Sequence, residues 1–248
     1  NRLPGEHVEK LIAALAAERR RLGLQFRLIG LSRHEELQRV AKNLGADEVG
    51  PPPTSESSPP VADIVVDTTG APEGLALALA LARKEVHLKS THGRSTAGLQ
   101  HLTEAVVDEI TLSNFSSTTQ HHLNSLTFGQ NARPLVLWLS ASPPPQWLLN
   151  CSECLEVKEP DSARTALNQK RRSLPAADLV VVDHANGIDQ ALRPWAGQEE
   201  SLVRARGEIS ISRAADTDGP LVVALSQRNL RLSTYRCGDF KKALALLE

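Results

Sequence analysis

Three short stretches of this chain carry side chains suited to a phosphorylated, hydroxyl-bearing ligand. They are Ser32 and Arg33; Asp67, Thr68, Thr69 and Gly70; and Ser90 and Thr91. A serine hydroxyl and a guanidinium bind phosphate. An acidic residue in their place would accept a ribose 2′-hydroxyl and repel a 2′-phosphate. Ser32-Arg33 therefore predicts that any dinucleotide bound here is NADP rather than NAD. Thr68-Thr69-Gly70 offers hydroxyls, and a backbone that can approach a ribose closely. Local roles are open to the same residues. Ser32-x-x-Glu35 reads as a capping box with Arg33 solvated in the first helical turn, and Gly70 permits a tight turn.

These residues act together only if the fold places them side by side. Residues 25–31, 63–67 and 85–90 are apolar runs of strand length. Helices are predicted from the Ser32–Glu35 turn through Leu44 and over 72–83. Apolar strands alternating with helices predict an α/β fold, a Rossmann-like parallel sheet flanked by helices, with the three strands as parallel neighbours. Ligands of such sheets lie beyond the carboxyl ends of the strands. All eight residues named above fall at those ends.

The segments Leu28-Ile-Gly-Leu-Ser-Arg33, Leu44-Gly-Ala-Asp-Glu-Val49, Ala62-Asp-Ile-Val-Val-Asp-Thr-Thr-Gly70 and His87-Leu-Lys-Ser-Thr91 carry a family resemblance. Their order and spacing resemble the nucleotide-binding half of medium-chain, zinc-dependent alcohol and threonine dehydrogenases. Val106–Leu112 fits the stretch that follows in that family, and Ser233–Phe240 resembles a turn near the end of the same domain. The resemblance implies a dinucleotide site at Ser32, Arg33, Asp67–Gly70, Ser90 and Thr91. In the family a further domain holds zinc and substrate for hydride transfer.

The chain departs from the family pattern in ways that matter. A Gly-x-Gly-x-x-Gly loop should precede helix 6–22, where only Gly5 stands. Those glycines let the backbone reach a pyrophosphate. The zinc-holding domain and the four-cysteine zinc lobe have no counterpart, and the chain contains no Met. It therefore reads as part of a longer polypeptide. Cofactor binding is expected to be weak, zinc is not expected, and no catalytic residue is assigned. The expected role is assembly or interaction with other domains or subunits of a larger protein. The alternative is the nucleotide-binding part of an NAD(P)-dependent oxidoreductase.

A hydrophobic content of 41% across 248 residues supports a core, built from aliphatic residues because aromatics are only 3%. A net charge of −1 gives no electrostatic case for nucleic acid or an anionic membrane. No apolar run approaches the ~20 residues of a membrane span. Three cysteines, Cys151, Cys154 and Cys237, suit an intracellular, cytoplasmic setting. Cys151-x-x-Cys154 alone falls short of the roughly four ligands of a structural zinc site. His92, His101, His121 and His122 read as solvated. Arg19-Arg20-Arg21 complements a helix C-terminus and offers a second, phosphate-binding role.

Residues 51–60, with five prolines, read as a mobile surface loop. Pro143-Pro144-Pro145 divides a Rossmann-like domain (1–142) from a second α/β unit (143–248), a degenerate repeat or a continuation of the same sheet. Ala62-Asp-Ile-Val-Val66 returns as Ala177-Asp-Leu-Val-Val181, 115 residues later. Residues 86–90 are echoed by strand 207–212, and Ile110–Ser113 by Leu230–Ser233. Helices 120–126 and 239–247 complete the two copies.

Overall fold

The computed structural model describes residues 6–54, 61–91, 93–116, 119, 123, 133–158, 160–170, 176–193, 201–213 and 218–235. The chain divides into two compact units: residues 1–58 with 237–248, and residues 59–236. Among the described residues no helix is long and apolar enough to cross a membrane.

In the first unit, helix α1 (Glu6–Leu22) is followed by strand β1 (Ile29–Leu31), helix α2 (Glu35–Asn43) and strand β2 (Glu48–Gly50). The two strands pair in parallel, Gly30 opposite Val49. Ile12, Ala41 and Ala46 form a small core. A Cβ on Gly30 would meet that of Ala41 at 3.3 Å, so glycine lets α2 sit close to β1. Asp47 locks the unit, accepting the Leu28 amide at 2.7 Å and an ion pair from Arg19. Its carboxyl is held below the ordinary range by the Arg19 bond first and the Leu28 amide second. The first strand is thus shorter than 25–31. It pairs with 48–50 rather than with 62–67, which corrects the expectation of three neighbouring strands.

The second unit is one eight-stranded sheet in the order β3-β4-β10-β5-β9-β8-β6-β7. Its strands are β3 (Ala62–Asp67), β4 (Ala82–Leu88), β5 (Thr111–Asn114), β6 (Leu135–Trp138), β7 (Glu153–Glu156), β8 (Ala177–Val182), β9 (Val203–Ile211) and β10 (Arg231–Thr234). Every pairing is parallel except β10 with β5. This is the α/β, Rossmann-like class. Strands from both sides of residue 142 share the sheet. Helices α3 (Pro72–Leu81), α4 (Leu102–Val107), α6 (Pro160–Gln169), α7 (Ala185–Leu192) and α8 (Gly219–Arg228) pack on one face with Val86, Leu112, Val180, Ile209 and Leu232. Helix α5 (Gln146–Cys151) packs on the other with Val136, Trp138, Leu179 and Val181. β8 is buried along its whole length, as the apolar run Leu179–Val182 requires between two covered faces.

The sheet contains two copies of a β-α-β-α-β unit: β3-α3-β4-α4-β5 and β8-α7-β9-α8-β10. Their registers match. The β3–β4 ladder shifts between Ala62 and Ile64, and the β8–β9 ladder shifts between Ala177 and Leu179, each 115 residues on. Both copies enter their last strand through a left-handed residue, Glu109 (φ 56°) and Asn229 (φ 51°). The last strands are exchanged: β5 lies beside β9 of the second copy, and β10 beside β4 of the first. The copies meet where Leu112 faces Leu232 across the antiparallel seam. On the helical side, the positive-φ glycines Gly98 and Gly219 bring their backbones together, leaving no room for a Cβ on either.

Helices 120–126 and 239–247, most of loop 51–60, His92, His121, His122 and Cys237 lie wholly or largely outside the described residues.

Candidate functional site

Ser32 and Arg33 belong to the first unit. Helix α2 begins after His34, which has extended backbone and no side-chain cap. The Ser32 hydroxyl accepts the His34 amide at 3.1 Å, and its carbonyl accepts Gln38 Nε2 at 2.7 Å. The expected capping box does not form. Ser32 stands two residues before the N-cap, and its hydroxyl meets the His34 amide rather than an amide inside the helix. Glu35 is the first helical residue rather than the third, too early to reach back. Arg33 is exposed. Arg19 is tied to the Phe26 and Gly45 carbonyls and to Asp47, which is a structural role. Arg20 lines an open cleft with Gln25, Phe26 and Arg27.

The other six residues gather in the second unit, at the carboxyl ends of β3 and β4. Asp67 is 4% exposed. Its Oδ1 accepts from the Thr69 amide at 2.8 Å and the Thr69 hydroxyl at 2.7 Å. Thr69 Oγ1 in turn accepts the Ala71 amide at 3.1 Å, at the mouth of α3. Asp67 Oδ2 is buried with no hydrogen-bond partner among the described residues. Burial raises the Asp67 carboxyl above its ordinary range, opposed by the two Thr69 bonds. Gly70 turns with φ 66°, and a Cβ there would lie 2.8 Å from Ser90 Oγ. Thr91 and Thr103 share a hydroxyl contact at 3.2 Å. Thr68 is half-buried beside them.

Two members of this site were not apparent from sequence. Gly74 is required because a Cβ would collide with Thr69 Oγ1 and press on Asp67. Thr103 reaches the site from α4, and nothing in its local pattern marks it.

The sheet face away from most helices carries a second polar set that sequence reasoning also missed. Glu85 bonds the Ser233 hydroxyl, and Glu208 bonds that of Ser113. Arg231 stands between them, Nη2 at 3.6 Å from Glu208 and Nε at 3.9 Å from Glu85. His87 lies 3.3 Å from Glu85 and stacks on Tyr235. The signal was period-two polarity, as in Glu208-x-Ser210-x-Ser212, inside strands otherwise apolar.

Cys151 ends α5 and Cys154 lies in β7. Burial first, then Glu156, pushes the Cys154 thiol up to about 11, which leaves little thiolate at neutral pH. His101 Nδ1 sits 3.4 Å from Glu104. Among the described residues no three His, Cys, Asp or Glu side chains form a metal-binding group.

Neither a family model nor a curated protein nor a solved structure matches this chain. Function is therefore argued from the chain's own geometry.

Proposed function

We propose that this chain is a Rossmann-like module of medium-chain dehydrogenase descent. It serves assembly or interaction within a larger protein and has no catalytic machinery of its own. The observation that carries this reading is the outer edge of β3. Among the described residues β3 pairs only with β4 and ends the sheet. Ile64 is 55% exposed and Val61 48%. An open edge presents unpaired amides and carbonyls to any extended segment, and charged residues are the usual guard. The opposite edge, β7, has such guards in Glu153, Glu156 and Lys170, with Lys170 Nζ 2.6 Å from Glu153. On β3 only the first turn of the ladder is guarded, by Asp63 with Lys84 at 3.6 Å. The run Ile64-Val65-Val66 is bare of charge.

Amide hydrogen exchange at residues 62–67 tests the proposal. It should be slower in the full protein that contains this chain than in the 248-residue chain alone. Equal exchange in both would defeat it.

A second reading, the nucleotide-binding part of an NAD(P)-dependent oxidoreductase, is favoured by Asp67 Oδ2, buried and unpartnered among Thr69, Gly70 and Ser90. On that reading the chain binds NADP weakly, in preference to NAD. Tight binding of either dinucleotide, or turnover of simple alcohols by the chain alone, would replace the first reading with this one.

A further inference from the structure

The topology sets a switch point at a place where no motif lies. β6 stands between β7 and β8, all three parallel. From β6 the chain passes through residues 139–145 into α5, on one face of the sheet, and on to β7. From β8 it passes through residues 183 and 184 into α7, on the opposite face, and on to β9. Neighbouring parallel strands whose connections depart to opposite faces leave an opening beyond their carboxyl ends. Ligands of open α/β sheets bind in that opening.

Polar side chains converge on it from three strands. Asp183, after β8, accepts the Ala141 amide at 2.7 Å through Oδ2 and the Ser212 hydroxyl through Oδ1. Ser212, after β9, also reaches Ser140 Oγ at 3.1 Å. Arg213 Nη2 donates to Ser142 Oγ at 2.9 Å, and its side chain is exposed. The loop is held by Trp138 Nε1, which donates to the Ser142 carbonyl at 2.6 Å. Burial pushes the Asp183 carboxyl up, but the Ala141 amide, the Ser140 and Ser212 hydroxyls and Arg213 together hold it below its ordinary range.

This chemistry selects a ligand with two unlike ends. Arg213 with the serine hydroxyls suits an oxyanion. Asp183 already accepts the Ala141 amide and the Ser140 and Ser212 hydroxyls, which leaves its carboxylate room for about one further donor, and it repels an anion placed directly on it. A polyol end meets that need. The loop Ser140-Ala-Ser-Pro-Pro-Pro145 has no glycine, and its three prolines have no amide to donate. It cannot wrap a pyrophosphate with backbone amides, which argues for a smaller molecule held by side chains.

We propose that the crevice between the β6 and β8 loops binds a sugar monophosphate, with the phosphate on Arg213 and Ser142 and the sugar hydroxyls on Asp183. The site is separate from Asp67–Gly70 and does not depend on the role assigned to the β3 edge.

Titration calorimetry of the whole chain with ribose 5-phosphate, ribose and inorganic phosphate tests this. Ribose 5-phosphate should bind more tightly than either fragment. Arg213→Ala, at an exposed position, should weaken ribose 5-phosphate on the order of tenfold, the scale of one charge-assisted contact, and leave ribose unchanged. Ser142→Ala should weaken it in the same sense, by less. Asp67→Asn should have no effect, which separates this site from the other. The proposal is overturned by absence of binding at millimolar ribose 5-phosphate, by phosphate binding as tightly as the sugar phosphate, or by affinity indifferent to Arg213→Ala.

Discussion

The two copies of the β-α-β-α-β unit share backbone, register and seam, yet their polar residues live in different surroundings. In the first copy, Glu85 lies on β4 with its side chain 25% exposed, bonded to Ser233 and His87. In the second, Glu208 holds the matching place on β9 at 1%, bonded to Ser113. Arg231 leans toward both, and its counterpart across the seam is Thr111. At the strand ends the contrast repeats. Asp67 is raised by burial and lacks a partner on one oxygen, whereas Asp183 is satisfied and lowered. The backbone of a Rossmann-like unit therefore tolerates opposite electrostatic designs, because ladder and core hold the strands in place whatever the loop ends carry.

The strongest break in the comparison comes from its most symmetric pair. Leu112 and Leu232 are both fully buried and face each other. Leu112→Ala and Leu232→Ala should each cost about 3 kcal/mol in chemical denaturation, by cavity formation in a packed core. Markedly unequal costs would mean that the two exchanged strands are not equivalently held.

The glutamates should separate. Glu208→Ala leaves Arg231 and two buried hydroxyls without their acceptor and should cost about 3 kcal/mol. Glu85→Ala, half-exposed, should cost about 1 kcal/mol. Equal losses would show that burial does not distinguish the two positions. Arg231→Thr makes the seam residues alike and withdraws the cation from Glu208. About 1 kcal/mol is expected, between the exposed and buried limits. No measurable loss would show that burial of Glu208 does not depend on the Arg231 cation.

The smallest effect is the most discriminating, because its sign differs between copies. Asp67 has a raised carboxyl, so the folded state binds its proton more tightly than the unfolded chain does. Its contribution is most favourable below the ordinary carboxylate range and is lost as pH rises through the raised value. Asp183 is lowered, so its contribution is present above the ordinary range and is lost as pH falls. From neutral pH downward, the stability difference between wild type and Asp183→Asn should shrink. Wild type should gain on Asp67→Asn over the same range. The Asp183 change is expected to stay below about 1 kcal/mol, as for a partly solvated group. Denaturation midpoints at several pH values measure both, and the same sign for the two would remove the contrast.

Much of the secondary structure was legible because it rests on local patterns. The alternation of apolar runs and helices located β3, α3, β4 and β8 to within a few residues, and the 115-residue echo marked the second copy. The gathering of Asp67, Thr69, Gly70 and Ser90 was legible too, since strand ends in a parallel sheet converge. Ser32 was misread because capping depends on which residue first turns helical, and a two-residue shift takes the hydroxyl off the helix's own amides. Thr103, Gly74 and the Glu85–Arg231–Glu208 set escaped notice because their partners lie far away in sequence.

Sequence by itself determined the class of fold, the position of most elements and the turn residues at the strand ends, and it suggested two related segments. These follow from hydrophobic period and from local backbone chemistry, which act over a few residues. Only the tertiary structure decided that β5 and β10 change places, that β3 ends the sheet among the described residues, and that Ser140, Asp183 and Ser212 come together beyond the strand ends, with Arg213 on Ser142. Strand order depends on which distant apolar faces pack together, and no short window of residues encodes that choice.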